Sequence, residues 1–278
     1  MLIFTTDKKR LLGHFQKDPV LFAYHIGDLD AFYFADCLWP SVVNPRSGLD
    51  DVLLTYTGCD SPTLLAFGLS DRFPELLRDY LPLAPKSFFC HFLKPHGSIL
   101  REFCRETPLG THLKMRLDEM LFAEFCRSRP FRLLADARSG QSRQTDSPIR
   151  LDPSHEPALR RLYTVAYPGN YFVPKMLQTG KYFGCVENDN VVAVAGVHVV
   201  SDQHRVAVLG NITTHPDYRG RGLATELTRT LVAELVSEGK MVCLNVKADN
   251  SAAIACYRKL GFVPVHEYEE ACFELKIS

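Results

Sequence analysis

The sequence lacks the features that nucleic-acid-binding and membrane proteins need. Its 278 residues carry 32 Lys plus Arg and 32 Asp plus Glu, so the formal net charge is zero, and no long run of one sign occurs. This balance argues against nucleic acid or an anionic membrane as a partner. No uninterrupted apolar stretch reaches the roughly 18 residues of a membrane span, and the first residues lack the apolar region of a signal peptide. We therefore expect a soluble, cytoplasmic protein.

Cysteine is present, but it lacks the spacing of a disulfide framework or a metal site. The nine cysteines are odd in number and form no C-x-x-C pair and no Cys/His ligand pattern. Cys185, Cys243 and Cys256 lie in apolar or helical contexts, which favours buried structural thiols over catalytic ones. His91 and His96 flank a proline-containing segment with no carboxylate to complete a ligand set. The sequence therefore predicts no metal.

The length of the chain predicts two domains, because 278 residues exceed the usual size of one. Residues 136–147 are poor in large apolar side chains and rich in Ser, Gly and Gln, which is typical of a solvated linker. We expect a first domain at residues 1–138 and a second at residues 148–278.

The most informative segment is a glycine-rich turn at residues 219–224. A short apolar run at residues 206–209 precedes it as a buried strand, and leucines recur every four residues from Leu223 to Leu235, which predicts an amphipathic helix. At a strand-to-helix turn, backbone N–H groups without intrahelical partners point outward, and the helix dipole favours negative charge. Gly220 and Gly222 also lack the Cβ atoms that would keep a phosphate away. The turn therefore predicts a diphosphate site.

A second motif follows some twenty residues later. The apolar strand 241–246 leads into a helix at residues 251–260, and Gly261 is placed to end that helix. Asn250 and Tyr257 are seven residues apart, about two helical turns, so their side chains can address one ligand.

The spacing of both motifs separates this chain from other phosphate-binding proteins. The turn reads Arg219-x-x-Gly222-x-Ala224, without the G-x-G-x-x-G of dinucleotide sites or the Lys-Ser/Thr pair of P-loops. It resembles the R/Q-x-x-G-x-G/A signature of the GNAT superfamily of acyl-CoA-dependent N-acyltransferases. The second motif resembles that family's N-x-x-A-x-x-x-Y-x-x-x-G-F, matched from Asn250 to Phe262.

The resemblance covers residues 148–278 and implies an α/β fold with a mixed sheet and helices on both sides. The pattern of this region is most similar to the glycine N-acyltransferase-like branch. In order, the predicted elements are a strand at 149–151, a helix from 152 or 154 to 167, a short helix at 175–179, strands at 182–187, 191–200 and 206–214, a helix at 222–238, a strand at 241–246, a helix at 251–260, and closing strands at 262–268 and 271–277.

The resemblance also implies a cofactor and its site. Acetyl-CoA or another acyl-CoA would be the donor, with its pantetheine arm between strands 206–214 and 241–246 and the main chain of Ile212 and Thr214 facing it. The other residues implied to bind it belong to the two motifs: Arg219, Gly220, Arg221, Gly222, Leu223, Ala224, Asn250 and Tyr257. An amine would attack the thioester directly, so the resemblance implies an N-acyltransferase.

Two residues are candidates for the chemistry. Tyr257 could donate a proton or hydrogen bond to the departing thiolate, although a core tyrosine is the alternative. His198 could take the proton of the amine because its ordinary pKa suits that task, although a core histidine and deprotonation through ordered water are alternatives. Glu187 and His215 are further candidates for the base.

One loop is a candidate for the site that binds the acceptor amine. The loop 167–172 holds two tyrosines and a phenylalanine, which could wall a small amine site or simply pack. The likeness to the glycine N-acyltransferase-like branch points to small amines or amino acids. A homodimer is left open, as are two other functions: a catalytically silent acyl-CoA-binding module and an unrelated nucleotide-binding α/β domain.

The first domain shows an alternating β/α pattern and is interpreted as a degenerate copy of the same fold. No strand in it leads into R-x-x-G-x-G/A, so we expect no CoA there but a lid, a pocket wall or a dimerisation surface. The aromatic residues between Phe22 and Trp39 favour core packing over a pocket. The predicted strands are 64–69, 87–92 and 113–117, and the predicted helices are 74–80 and 98–105.

Overall fold

The computed structural model describes residues 2–44, 48–129 and 148–276. The predicted linker at 136–147 lies outside these residues, so the boundaries at 138 and 148 stay a prediction. By contacts, the chain forms two units that are not contiguous in sequence. The first unit comprises Met1–Lys114, Val246–Asp249 and Pro264–Ser278, and the second comprises Met115–Asn245 and Asn250–Val263.

The regular elements alternate along the chain. The helices are α1 (Lys8–Phe15), α2 (Ala23–Asp28), α3 (Ala31–Phe34), α4 (Phe73–Tyr80), α5 (Gly97–Phe103), α6 (Glu119–Ser128), α7 (Glu156–Ala166), α8 (Leu223–Ser237) and α9 (Ser251–Lys259). The strands are β1 (Leu2–Phe4), β2 (Cys37–Leu38), β3 (Pro40–Asn44), β4 (Gly48–Val52), β5 (Leu54–Tyr56), β6 (Thr63–Ala66), β7 (Ser87–Phe92), β8 (Cys104–Leu117), β9 (Ile149–Arg150), β10 (Phe183–Glu187), β11 (Asn190–Ser201), β12 (Val206–Thr214), β13 (Met241–Lys247) and β14 (Phe262–Leu275).

The first unit is built on a sheet in the order β2-β5-β6-β7-β14-β8, with a small sheet β1-β3-β4 beside it. The parallel neighbours β6 and β7 are joined by α4. In α4, apolar residues at positions i, i+3, i+4 and i+7 from Phe73 to Tyr80 are all buried, as an amphipathic helix requires. They pack against the side chains of Phe88, Cys90 and Phe92 in one hydrophobic cluster.

The second unit is built on the order β13-β12-β11-β10-β9. Its strands are antiparallel from β9 to β12, and β13 is parallel to β12 and reached through α8. The leucines of α8 predicted from their four-residue spacing are all buried against the sheet. Each fully buried leucine contributes about 1.5–3 kcal/mol of hydrophobic stabilisation.

The two units repeat one connectivity. In each, an antiparallel pair of strands is followed by a helix, a parallel strand and a second helix: β5-β6-α4-β7-α5 in the first unit and β11-β12-α8-β13-α9 in the second. The predicted mixed α/β fold and the interpretation of the first domain as a copy of the second are therefore confirmed.

The predicted end of the chain is wrong in one respect. Residues 262–275 form one strand, not two, because the adjacent Glu269 and Glu270 are paired with Phe92 and His91 of β7 rather than placed in a turn. Two further corrections concern the first unit: the strand predicted at 113–117 begins at Cys104, and the strand predicted at 64–69 ends at Ala66.

Within the described ranges, no helix is long and apolar enough to cross a membrane. The same residues contain no group of three or more His, Cys, Asp or Glu arranged to hold a metal ion. The thiols of Cys185 and Cys243 are buried, and that of Cys256 is partly buried.

Candidate functional site

The glycine-rich turn forms an open cradle at the first turn of α8. Gly220 and Gly222 stand at φ of 76° and 82°, in the left-handed region that glycine adopts without strain. A Cβ added to either glycine would meet no atom within 4 Å. Gly222 caps α8 without any side-chain hydrogen bond, so the first N–H groups of the helix are left to a ligand or solvent. The two glycines thus allow the left-handed backbone conformation of the turn, and the space next to them is open.

Two guanidinium groups flank this cradle. Arg219 donates from Nε to the carbonyl of Thr214 at 3.2 Å, and Arg221 donates from Nη2 to the carbonyl of Asp217 at 3.2 Å. The guanidinium of Arg221 also lies 4.7 Å from the centre of the Tyr218 ring. Helix N–H groups and arginine side chains are the groups that bind phosphate oxygens in proteins. The residues at this turn therefore fit a diphosphate.

Beside the cradle, β12 and β13 stop pairing before either strand ends. Their ladder runs from Val206 and Met241 to Leu209 and Leu244, whereas β12 continues to Thr214. The cause is a bulge at Asn211, which stands at φ 56°. The register with β11 shifts there, so that β12 gains one residue and bends away. Ile212 and Thr214 lie on the part of β12 beyond its pairing with β13.

A buried polar network holds the bulge. Asn211 donates from Nδ2 to the hydroxyl of Tyr182 at 3.0 Å, and its carbonyl accepts the hydroxyl of Tyr163 at 2.9 Å. Tyr182 in turn donates to the carbonyl of Val197 at 3.0 Å. None of these three side chains was among the site residues predicted from the sequence. The only signal for them was an asparagine within an otherwise apolar strand.

In the second motif, Asn250 and Tyr257 have different structural roles. Asn250 caps α9, because its Oδ1 accepts the N–H of Ala253 at 3.1 Å, and its side chain is exposed. Tyr257 is 9% exposed and packs edge-on against Phe262, with 6.0 Å between ring centres. Burial raises the pKa of Tyr257 well above its ordinary value, and the neighbouring Cys256 and Tyr167 act in the same direction. The hydroxyl therefore stays protonated near neutral pH and is available as a hydrogen-bond or proton donor.

His198 lies at a second bulge, in β11, and its ring packs on Gly210. A Cβ added to Gly210 would meet the imidazole at 2.1 Å, so glycine is required there. Desolvation lowers the pKa of His198 to about 4, and a hydrogen bond with Asn211 offsets part of that effect. The imidazole is thus neutral at pH 7 and able to accept a proton, but it is a weak base.

The other two candidates for the base are already engaged. Glu187 accepts a hydrogen bond from the hydroxyl of Tyr218, which raises the pKa of that tyrosine. Nδ1 of His215 accepts the N–H of Asp217 at 3.3 Å, as a residue that caps a turn does. These contacts do not orient the side chain of Glu187 or His215 toward the gap between β12 and β13.

The loop 167–172 combines packing with exposure. Phe172 is buried, with ring centres 5.3 Å from Tyr163 and 5.9 Å from Tyr182, so it supports the network around Asn211. Tyr167 is 41% exposed and lies close enough to Tyr163 and Tyr257 to raise the pKa of both. A small molecule can therefore reach the side chain of Tyr167 but not that of Phe172.

The fold agrees with comparisons to known proteins. Residues 150–262 match the model of the Acetyltransferase (GNAT) family. These residues are a GNAT acetyltransferase family domain. Among solved structures, a Drosophila protein matches with a TM-score of 0.71 at 13% identity over 99% of this chain and 98% of its own. A tandem GNAT protein from the clavulanic acid biosynthesis pathway matches with a TM-score of 0.58 at 16% identity over the whole of both chains. At these identities the likeness shows the fold alone.

Curated relatives match less than a third of this chain. A ribosomal protein bS18-alanine N-acetyltransferase of Escherichia coli K12 is 41% identical over 81 residues, which are 29% of this chain and 53% of that protein. The N-alpha-acetyltransferase RimI of Mycobacterium tuberculosis is 33% identical over 85 residues, 29% of this chain and 51% of its own length. The chain thus spans about half the length of these relatives.

Proposed function

We propose that this protein transfers an acetyl or other acyl group from acyl-CoA to a primary amine. The observation that carries the proposal is the open, two-glycine cradle at the start of α8, placed at the end of a strand that has left its parallel neighbour. A diphosphate with a long, thin arm fits both features at once. A nucleoside triphosphate or a dinucleotide would use the cradle but not the gap between the strands.

Different residues of this chain would bind different parts of the acyl-CoA. The N–H groups at the start of α8, with Arg219 and Arg221, would bind the diphosphate. The main chain of Ile212 and Thr214 would hold the pantetheine arm by strand-like hydrogen bonds. Asn250 would act chiefly through the start of α9, which it caps.

The reaction needs an acid for the leaving sulfur and a base for the amine. The amine nitrogen forms a bond to the thioester carbonyl carbon, the C–S bond breaks, and the sulfur leaves as a thiolate. Tyr257 would donate a hydrogen bond or a proton to that sulfur, because burial keeps its hydroxyl protonated near neutral pH. His198 stays the candidate base, acting directly or through water, with the weak basicity that its burial imposes.

For the acceptor, we propose an α-amino group. The Escherichia coli relative is named as an N-acetyltransferase that acts on an alanine of ribosomal protein bS18. The likeness of the motif pattern to the glycine N-acyltransferase-like branch stays a proposal, and it implies small amines or amino acids as acceptors. Both have an α-amino group in common, so the candidates are free amino acids, small amines and peptide N-termini. Homodimer formation also stays a prediction.

Thiol release tests the proposal. The full chain is incubated with acetyl-CoA or a longer acyl-CoA and with glycine, other amino acids, polyamines or a peptide with N-terminal alanine, and free CoA is measured. Acyl-CoA binding is measured separately by calorimetry. Release with at least one amine supports the transferase. Tight binding without release for any amine indicates a silent acyl-CoA-binding module, and absence of binding removes the proposal.

A further inference from the structure

The first unit repeats the connectivity of the second but has no gap between its parallel strands. The ladder of β6 and β7 runs from Thr63 and Phe89 to Ala66 and Phe92, the last residue of each strand. Just beyond it, the N–H of Leu93 still donates to the carbonyl of Ala66 at 3.3 Å. The first unit therefore has no gap at the position that corresponds to the gap between β12 and β13.

The turn that follows β6 already holds an anion, and that anion is a side chain. Asp51 accepts the N–H groups of Leu69 and Ser70 on one carboxylate oxygen, at 2.9 and 2.7 Å. Its other oxygen accepts the N–H of Val52 at 3.2 Å and lies 3.4 Å from Nε2 of His14. The Asp51 side chain is 0% exposed and that of His14 is 2% exposed. Successive backbone N–H groups that converge on one oxygen are a common anion-binding arrangement.

The rest of this turn is packed shut. A Cβ on Gly68 would meet the ring of Phe73 at 1.8 Å, whereas at Gly220 and Gly222 it would meet nothing. The carbonyl of Gly68 lies 3.1 Å from Nε2 of His96, which is also buried. The glycine of the first unit thus serves internal packing, and the glycines of the second unit leave space for a ligand.

We propose that the turn at residues 67–72 of the first unit is a buried carboxylate site whose occupant is the chain's own Asp51. The carboxylate accepts three backbone N–H groups, those of Val52, Leu69 and Ser70, and His14 supplies its fourth contact. The first unit consequently takes no CoA and uses the anion site to fasten β4 to the turn after β6. This inference does not depend on the proposed transferase activity.

Chemical rescue tests the site with acetate as the probe. Asp51→Ala removes the carboxylate and leaves a cavity lined by the same N–H groups. We expect a lower Tm, and at pH 7.5 we expect sodium acetate to raise the Tm of this variant by about 2 °C or more beyond its effect on the wild type, relative to sodium chloride at equal ionic strength. Asp51→Asn fills the space with an amide, so it is destabilised without being rescued. Asp50→Ala removes a neighbouring carboxylate that pairs with Arg72 at the surface, and it serves as the second control.

Each result of this experiment either supports or contradicts the proposed carboxylate site. Rescue of Asp51→Ala alone supports the site, and an equal response of all four proteins to acetate overturns it. If Asp51→Ala does not fold in chloride, it is refolded in acetate: recovery there and not in chloride supports the site, and recovery in neither counts against it. The stoichiometry of CoA on the wild type is an independent check, because binding of two CoA molecules per chain would contradict a closed first unit.

Discussion

The side chain of Asn211 donates a hydrogen bond to the hydroxyl of Tyr182 at 3.0 Å, from a residue whose backbone stands at φ 56°. This contact joins the bulge of β12 to the segment just before β10. Because the ladder with β13 ends two residues before Asn211, the bulge decides where the two strands part. A residue without any assigned chemistry thus shapes the gap on which the proposed cofactor site depends.

Substitutions at Asn211 should separate its backbone role from its hydrogen bonds. Asn211→Gly keeps the left-handed conformation but leaves buried partners unpaired, at a cost of about 1–3 kcal/mol. Asn211→Val loses the same hydrogen bonds and adds about 1–2 kcal/mol of backbone strain. Urea denaturation should therefore rank the wild type above Asn211→Gly and that variant above Asn211→Val. Equal free energies of unfolding for the two variants would show that the bulge carries no strain.

The cradle can be tested with a matched pair of glycines. Gly222 at φ 82° starts α8, and Gly239 at φ 70° follows its end; a Cβ on either meets no atom within 4 Å. Gly222→Ala and Gly239→Ala should each lose about 1–2 kcal/mol of stability from strain. Only Gly222→Ala should weaken acyl-CoA binding, by about tenfold or more. Calorimetric affinities that fall equally in both variants would contradict a cradle at Gly222.

Tyr257→Phe should separate binding from chemistry. The ring contact with Phe262 is kept, so the Tm should change little, whereas the proton donor for the leaving sulfur is lost. We expect kcat to fall by about ten- to a thousandfold, with the affinity for acyl-CoA nearly unchanged. Steady-state kinetics with the best amine give both quantities. A kcat equal to that of the wild type would remove the acid role.

The pH profile tests His198 as the base. Its pKa of about 4 means that the imidazole loses the ability to accept a proton only below about pH 4. If His198 takes the amine's proton, the acidic limb of kcat/KM that belongs to it lies near pH 4 and disappears in His198→Gln. A profile that is the same in both proteins would leave ordered water or another group as the base.

Glu270 should make the stability of the first unit depend on pH. Burial raises its pKa from 4.5 to about 7, although the hydroxyl of Tyr268 and the charge of Lys114 act the other way. His91 and His112 face the same carboxylate, with Nε2 atoms at 3.5 and 3.2 Å. Because the folded state holds this proton more tightly than the unfolded state, the contribution is full below pH 4.5 and is lost as the pH rises to about 7.

Glu270→Gln removes this dependence. Its free energy of unfolding, relative to that of the wild type, should rise between pH 4.5 and 7 by up to about 3 kcal/mol. Burial lowers the pKa of His112, and this shift makes both proteins more stable as the pH rises. The difference between their free energies of unfolding is therefore the quantity to compare. Glu267→Gln, on the exposed side of the same strand, is the control and should show no such change. A difference that does not vary with pH would contradict the raised pKa.

The sequence predicted the second unit closely because its signals are local. The leucine spacing gave α8 within a residue at each end, and Asn250 with Gly261 bounded α9 correctly. The closing strand was wrongly split because Glu269 and Glu270 are unusual inside a strand. Side chains far away in sequence, such as His91 of β7, help to accommodate them.

Local pattern by itself determined the motifs, the elements that carry them and the conformation of the glycines, since each depends on residues a few positions apart. Tertiary structure decided which turn is open. Gly220 and Gly222 leave space because nothing packs on them, whereas the turn after β6 is closed by Asp51, which lies 18 residues from Leu69 and 19 from Ser70. It also decided the state of His198, whose weak basicity comes from desolvation by its surroundings. Burial and long-range contact set these properties, and neither can be read from spacing along the chain.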